Sequence, residues 1–96
     1  TGRDSLYFDR YGNFGGSGAF AGGKVNPASP YASWYRFDTS KPDPDSQYRG
    51  WVGVADLPET DKTSPGFRDF VYNDDDAITR LWLRRGAAGW RMDVAP

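Results

Sequence analysis

The pattern of apolar and polar residues differs between two parts of the chain. Residues 1–63 show no sustained period, and glycines interrupt the first third, which disfavours regular helix or strand there. Two short aromatic runs, 31–37 and 48–54, predict strands because aromatic residues favour pleated, half-buried surfaces. Between them, prolines and aspartates predict a turn at 41–45. A single helical turn is predicted at 4–11.

A helix is predicted from residue 64 onward, where apolar residues take up helical spacing. Ser64 is suited to the N-cap, and Pro65 is suited to the first helical position because its missing N–H costs nothing there. The apolar residues that follow at helical spacing are Phe67, Phe70 and Val71.

An acidic run at 73–76 interrupts this helix and predicts the start of a second one. Asn73 or Asp74 is expected to cap it, since the helix dipole favours negative charge at that end. The run lacks the spaced ligands and the glycine of a calcium loop, so no metal is expected there. The second helix is expected to end at Gly86, with an apolar face made of Ile78, Leu81 and Trp82.

Residues 86–96 predict a short strand after that helix stop. Because side chains alternate across a strand, one side carries Gly89, Arg91, Asp93 and Ala95. The other side carries Trp90, Met92 and Val94. A carboxylate near the C-terminal end of a strand that follows a helix is typical of catalytic groups in barrel enzymes. The chain stops soon after this carboxylate, so we expect a piece of a larger protein.

Composition narrows the possible functions. The 96 residues make at most one small domain, and with only 38% apolar residues the aromatics are expected to carry much of the core. A net charge of −1 without a basic cluster argues against nucleic-acid binding, and no apolar stretch is long enough for a membrane span. Cysteine and histidine are absent, which excludes disulfides, histidine-ligated zinc and Ser-His or Cys-His nucleophiles within this chain. No cofactor is expected.

Three stretches, in the right order, resemble the α-amylase family (glycoside hydrolase family 13). Residues 89–93, GWRMD, resemble the G-x-R-x-D nucleophile motif of that family. Residues 1–12 resemble the segment that follows the third barrel strand in neopullulanase-like and cyclomaltodextrinase-like members. Residues 51–61 resemble the W-x-G-x-x-x-L-P-x-L-N stretch near the end of domain B, although Thr60 and Asp61 replace its Leu and Asn.

The resemblance implies a fold class and domain boundaries. The chain would be α/β, a fragment of a (β/α)8 TIM barrel. Residues 1–63 would form the loop-rich domain B with short strands, and residues 64–96 a broken helix and the fourth barrel strand. The acid-bearing glutamate and a later His-Asp pair of the family would follow residue 96. The isolated chain is therefore expected to be inactive and to require the rest of the barrel.

The resemblance also implies a retaining mechanism acting on an α-glucan or maltooligosaccharide. Asp93 would be the nucleophile, and Arg91 would hold it ionised, since a close positive charge lowers the pKa of a carboxyl group. From periodicity alone, an ordinary Arg–Asp pair at a strand edge is the alternative. Trp51 and Tyr48 are candidates either for stacking on sugar rings or for core packing. Ala95 is a candidate for lining the acceptor side of the cleft.

Two other functions remain open from the residues alone. One is a non-catalytic carbohydrate-binding module that uses exposed aromatics. The other is an interaction domain, in which the unpaired terminal strand associates with a second copy or docks onto the chain's own helix. Among the carboxylates of residues 51–61, Glu59 is expected to have a structural role, and Asp56 and Asp61 are expected to form turns.

Overall fold

The computed structural model describes residues 2–93, and its regular elements are short. Strands β1 (Gly50–Trp51) and β2 (Val54–Pro58) form an antiparallel two-stranded sheet. The helical part comprises α1 (Pro65–Arg68), a π-helical turn (Asp69–Asn73) and α2 (Ile78–Arg84). Three 3-10 turns precede them: Ala21–Gly23, Ala32–Trp34 and Pro44–Ser46. This arrangement is an α/β unit compatible with a piece of a larger domain.

The core is built mainly from aromatic rings, as the composition predicts. Its buried members are Phe8, Ala19, Phe20, Trp34, Tyr35 and Tyr48. Phe8 lies at the centre, with ring centroids 4.7–6.0 Å from those of Phe20, Tyr35, Phe37 and Tyr48. Edge-to-face and offset pairs of this kind supply the packing that aliphatic side chains provide in other cores.

Helix α1 and the π-helical turn pack on the loop-rich part of the chain through Trp34. The indole contacts the rings of Phe67 and Phe70, with centroid distances of 5.5 and 4.9 Å. A hydrogen bond of 2.9 Å between the hydroxyls of Ser33 and Ser64 lies beside this contact. Residues on both sides of position 64 therefore share one aromatic core.

The two predicted strands are replaced by shorter pairings. In the segment 31–37, a 3-10 turn is followed only by isolated bridges, which join Tyr35 to Thr60 and Phe37 to Tyr48. The prediction of one continuous strand over 48–54 is wrong, because the chain reverses at Val52 and Gly53 and begins β2 at Val54. The predicted turn at 41–45 is confirmed, since the Ser46 N–H donates to the Asp43 carbonyl at 3.0 Å.

The predicted helix start at residue 64 is confirmed. The Ser64 side chain accepts a hydrogen bond from the Phe67 N–H, and Pro65 occupies the first turn. The helix is broken, as expected, but its second part is not capped by Asn73 or Asp74. Helix α2 begins at Ile78 after an N-cap without a side-chain bond.

Backbone hydrogen bonds explain why the acidic run does not cap α2. The Asp74 N–H donates to the Asp69 carbonyl at 3.0 Å and so closes the π-helical turn. The Asp74 carbonyl then accepts from the Ala77 N–H at 2.9 Å, which places one further turn before α2. Gly86, with a φ of 103°, ends α2 as predicted, since this left-handed region favours glycine.

The strand predicted at the end of the chain is not formed in the described residues 87–93. A strand needs a partner for its N–H and C=O groups, and no described residue pairs with this segment as a strand. The Trp90 indole N–H instead donates to the Thr79 carbonyl at 3.1 Å, which holds the segment against the start of α2. Residues 94–96, including Val94 and Ala95, lie outside the described residues.

The apolar face predicted for α2 has little cover within residues 2–93. Ile78 and Trp82 are exposed and Leu81 is only partly buried. Periodicity therefore identified the apolar side of the helix, but the described part of the chain does not bury it. In the same range, no helix combines the length and apolar character needed to cross a membrane.

Candidate functional site

Arg91 and Asp93 lie together at the end of the described chain. The Arg91 Nη2 is 3.4 Å from the Asp93 Oδ1. Both side chains are open to solvent, with exposed fractions of 89% and 79%. An exposed ion pair of this kind adds little to folding stability, because water screens the charges. The pair therefore leaves the carboxylate accessible to a ligand.

The structure separates the two aromatic candidates. Tyr48 is only 8% exposed; its ring packs edge-to-face on Phe8, and its hydroxyl donates to the Ala55 carbonyl at 2.7 Å. Burial raises the pKa of Tyr48, because desolvation disfavours the phenolate. Of the two roles left open for Tyr48, core packing fits, and sugar stacking does not, since the ring faces the core. Trp51 is 49% exposed and can still offer a ring face to a ligand.

The predicted site residues are not all brought together. Trp51 lies on the hairpin of β1 and β2, whereas Arg91 and Asp93 lie on the segment after α2. Within residues 2–93, no hydrogen bond or ion pair joins Trp51 to this pair. Ala95, the candidate for the acceptor side, lies outside the described residues.

A polar cleft of about 230 Å³, not foreseen from the sequence, lies beside the hairpin. Its lining residues are Arg36, Arg49, Glu59, Thr60, Asp61, Lys62 and Thr63. The Arg36 guanidinium binds the Asp61 carboxylate through two hydrogen bonds of 3.1 and 3.2 Å. Asp61 also accepts from the Thr63 N–H at 2.9 Å and from its hydroxyl at 2.6 Å, which confirms the turn-forming role predicted for Asp61. Its cationic partner is 25 positions away, beyond the reach of local sequence patterns.

These contacts predict a specific acid dependence of stability. The hydrogen bonds from Arg36, and then those from Thr63, lower the pKa of Asp61 from 3.8 to about 2. A carboxyl group with a lowered pKa in the folded state stabilises the fold above its unfolded pKa, and this contribution is lost as pH falls through the folded pKa. Asp61→Asn is therefore expected to flatten the fall in the unfolding midpoint between pH 4 and pH 2.

Thermal unfolding at a series of pH values measures how steeply the unfolding midpoint falls with pH. Asp75→Asn, which also removes one negative charge from an exposed aspartate, is the matched control. Identical acid slopes for the wild type and Asp61→Asn would contradict the role given to the Arg36 contact.

A second charged network joins residues 1–12 to residues 51–61, two of the stretches that resemble the α-amylase family. The Arg3 N–H donates to the Asp56 carbonyl at 3.0 Å, and the Arg3 guanidinium lies 2.9 Å from the Asp56 carboxylate. Asp45 bridges Arg3 at 3.7 Å and Arg10 at 2.8 Å. Glu59 pairs with Arg49 at 3.6 Å. Glu59 thus takes part in an ion pair, in line with the structural role expected for it. The turn-forming role expected for Asp56 is wrong, because Asp56 lies within β2 and pairs with Arg3.

Asp9 is a buried carboxylate that the sequence patterns did not predict. It is 1% exposed, has a φ of 57°, and accepts from the N–H groups of Asn13 at 2.7 Å and Phe14 at 3.1 Å. Its bonds hold the glycine-rich loop, which is a structural role. The available signal was an aspartate close to Gly12, since aspartate tolerates the left-handed region and bonds nearby backbone groups. Among residues 2–93, no group of three or more acidic side chains is arranged to hold a metal ion.

Sequence comparison shows that the chain is similar, over nearly its whole length, to three proteins named amylopullulanase. The chain is 38% identical to an amylopullulanase of Thermoanaerobacter thermohydrosulfuricus over 112 aligned positions, which cover 99% of the chain and 7% of that protein. Amylopullulanases of Thermoanaerobacterium thermosulfurigenes and Thermoanaerobacterium saccharolyticum are each 36% identical over 98% of the chain. The chain spans 6–8% of the length of these curated relatives. No family model matches the chain. The similarity supports a relationship to amylase-family enzymes.

Proposed function

We propose that the chain is a segment of a retaining glycoside hydrolase active on α-glucans, with Asp93 as the nucleophile and Arg91 as its charged partner. The observation that carries this proposal is an accessible Arg–Asp pair within a G-x-R-x-D motif, in a chain similar to amylopullulanases over 98–99% of its length. The names of these relatives favour an α-glucan as the substrate.

The chemistry proposed for Asp93 is nucleophilic substitution at the anomeric carbon. The carboxylate attacks that carbon while the glycosidic bond breaks, and the leaving oxygen takes a proton from an acid. Water then cleaves the resulting glycosyl ester. Retaining enzymes place the acid roughly 5–5.5 Å from the nucleophile. In the α-amylase family that the chain resembles, the acid comes from a later strand, so we propose that it lies in another segment of the parent protein.

Arg91 has an electrostatic role in this scheme. The planar guanidinium can donate charge-assisted hydrogen bonds to the carboxylate beside it and so orient the proposed nucleophile. The present distance of 3.4 Å is long for a charge-assisted hydrogen bond, and both groups face water. We propose that the parent barrel excludes this water, which strengthens the interaction.

If the terminal segment is a barrel strand, the neighbouring strands of the barrel supply its pairing partners. Residues 89–93 lack strand pairing within the described chain, and neighbouring parallel strands would satisfy their N–H and C=O groups. The exposed apolar face of α2 fits a helix that packs against such a sheet. In this proposal the isolated chain has no activity, and its exposed apolar residues favour self-association.

The carbohydrate-binding alternative is supported by the exposed indole of Trp51. Sugar binding by this ring fits both a catalytic segment and a binding module, so affinity alone does not separate them. Detection of a covalent intermediate separates the two functions, because a binding module forms no such intermediate.

Trapping that intermediate tests the proposed function. The complete protein that contains this chain is incubated with a fluorinated glucosyl donor that forms the ester quickly and hydrolyses it slowly. Mass spectrometry of the digested protein is expected to locate one glucosyl group on Asp93. An adduct on another carboxylate, or hydrolysis with inversion and no adduct, would overturn the assignment.

A further inference from the structure

The hairpin between β1 and β2 is closed by an unusual residue. Val52 and Gly53 form its two-residue turn, and both have positive φ values, 51° and 78°. Turns of this type favour Asn-Gly or Asp-Gly, because those residues tolerate the left-handed region. A β-branched residue there is a genuine outlier, since its side chain crowds the backbone. Val52 therefore destabilises the turn in which it lies.

Side-chain packing does not explain why a valine occupies position 52. Val52 is 81% exposed, so its side chain has little contact with the described part of the chain. The turn is imposed by its neighbours: Gly50 lies directly against the Val54 carbonyl, where no Cβ would fit, and the Gly53 N–H donates to the Gly50 carbonyl at 3.1 Å. Strain of this kind persists where the surrounding structure enforces it, and it is found most often at functional sites.

The surroundings of Val52 are suited to a sugar. The half-exposed Trp51 indole precedes it, and Val54 is exposed on the opposite strand. Arg49 lies two residues before Trp51 and pairs with Glu59, which follows β2, and these two side chains can donate and accept hydrogen bonds. A flat aromatic face bordered by hydrogen-bonding groups matches a pyranose ring, whose C–H face is apolar and whose hydroxyls point outward. Protein interfaces involve about 20–30 residues a side, far more than this tip offers.

We propose that Val52 and Trp51 together form a contact for a glucosyl unit of the substrate, and that Val52 is a substrate-contact residue kept at the expense of turn stability. This inference rests on the proposed function, because it takes an α-glucan as the ligand. It goes further by assigning a role to the hairpin tip, away from the Arg91–Asp93 pair.

The test uses the complete protein with Asp93→Ala, which prevents turnover, and maltoheptaose as the probe. Val52→Asn suits the turn and removes the apolar contact, whereas Val52→Ile keeps both the branching and the apolar surface. We expect Val52→Asn to weaken maltoheptaose binding in calorimetry by about fivefold, and Val52→Ile to bind within about twofold of the parent. Hydrogen exchange of the Gly53 amide should slow by about tenfold in Val52→Asn, because asparagine tolerates the positive φ and so makes the turn more stable.

The possible results contradict either the hairpin contact or the proposed nucleophile, so the failure of one proposal can be told from the failure of the other. Unchanged maltoheptaose affinity in Val52→Asn would overturn the hairpin contact, whatever happens at Asp93. Protection of Trp51 and Val52 from hydroxyl-radical labelling without sugar would also overturn it, since another segment of the parent would then cover the tip. Continued hydrolysis of maltoheptaose in the Asp93→Ala background would refute the nucleophile instead.

Discussion

Asp93→Ala in the complete protein is expected to lower kcat on a soluble α-glucan by on the order of 10⁴-fold or more while the fold is retained. Loss of a nucleophile removes the covalent step itself. The side chain is 79% exposed and its recorded ion pair is with Arg91, so its removal leaves no cavity in the core. Turnover is measured by release of reducing sugar, and folding by circular dichroism and the unfolding midpoint.

Asp75→Ala is the matched control for this experiment, because it also removes an exposed aspartate from the second half of the chain. It is expected to keep wild-type turnover. Added azide should partly restore turnover in Asp93→Ala, since a small anion can attack the anomeric carbon in place of the carboxylate. Near-wild-type kcat in Asp93→Ala would remove Asp93 from the mechanism.

Phe8→Ala is expected to produce the largest loss of folding stability, about 3–5 kcal/mol, in the range observed when a buried aromatic is truncated. Phe8 is fully buried and touches four other rings, so the cavity cannot be filled without moving all of them. Domains of ordinary stability have about 5–15 kcal/mol in total, so this variant would be largely unfolded at moderate denaturant concentrations. Urea unfolding followed by tryptophan fluorescence measures the change.

Phe14→Ala provides the comparison, because Phe14 is exposed in the glycine-rich loop nearby. Its free energy of unfolding is expected to change by about 0.5 kcal/mol or less, as for most surface substitutions. Equal losses in the two variants would show that the aromatic cluster around Phe8 is not the stabilising core.

Signals that act over a few residues were read correctly from the sequence. Ser64 caps α1, Pro65 occupies its first turn, Gly86 ends α2, and the prolines and aspartates at 41–45 form a turn. Each of these features depends on φ preferences or on a hydrogen bond to a neighbour three or four positions away. The acidic run failed as a cap because the π-helical turn used the backbone groups of Asp74 first.

The sequence predicted the candidate site only in part. Arg91 and Asp93 lie close together because they are two residues apart, and the structure places their side chains 3.4 Å from each other. Their catalytic roles remain a proposal. The sequence offers Tyr48 and Trp51 for the same two roles, although a separation of three places such residues on opposite faces of an extended chain. The glycine at position 53 was the available signal for the hairpin that interrupts the predicted strand.

The sequence by itself determined where α1 starts and where α2 ends, which residue types supply the core, and which two charged side chains meet near residue 93. Only the tertiary structure decided that Tyr48 is buried while Trp51 is exposed, that Arg36 binds Asp61, and that the residues after α2 form no strand within the described chain. The physical reason is separation along the chain. Caps and turns use neighbouring groups, whereas burial, ion pairs between distant segments and strand pairing depend on partners that only folding brings within contact distance.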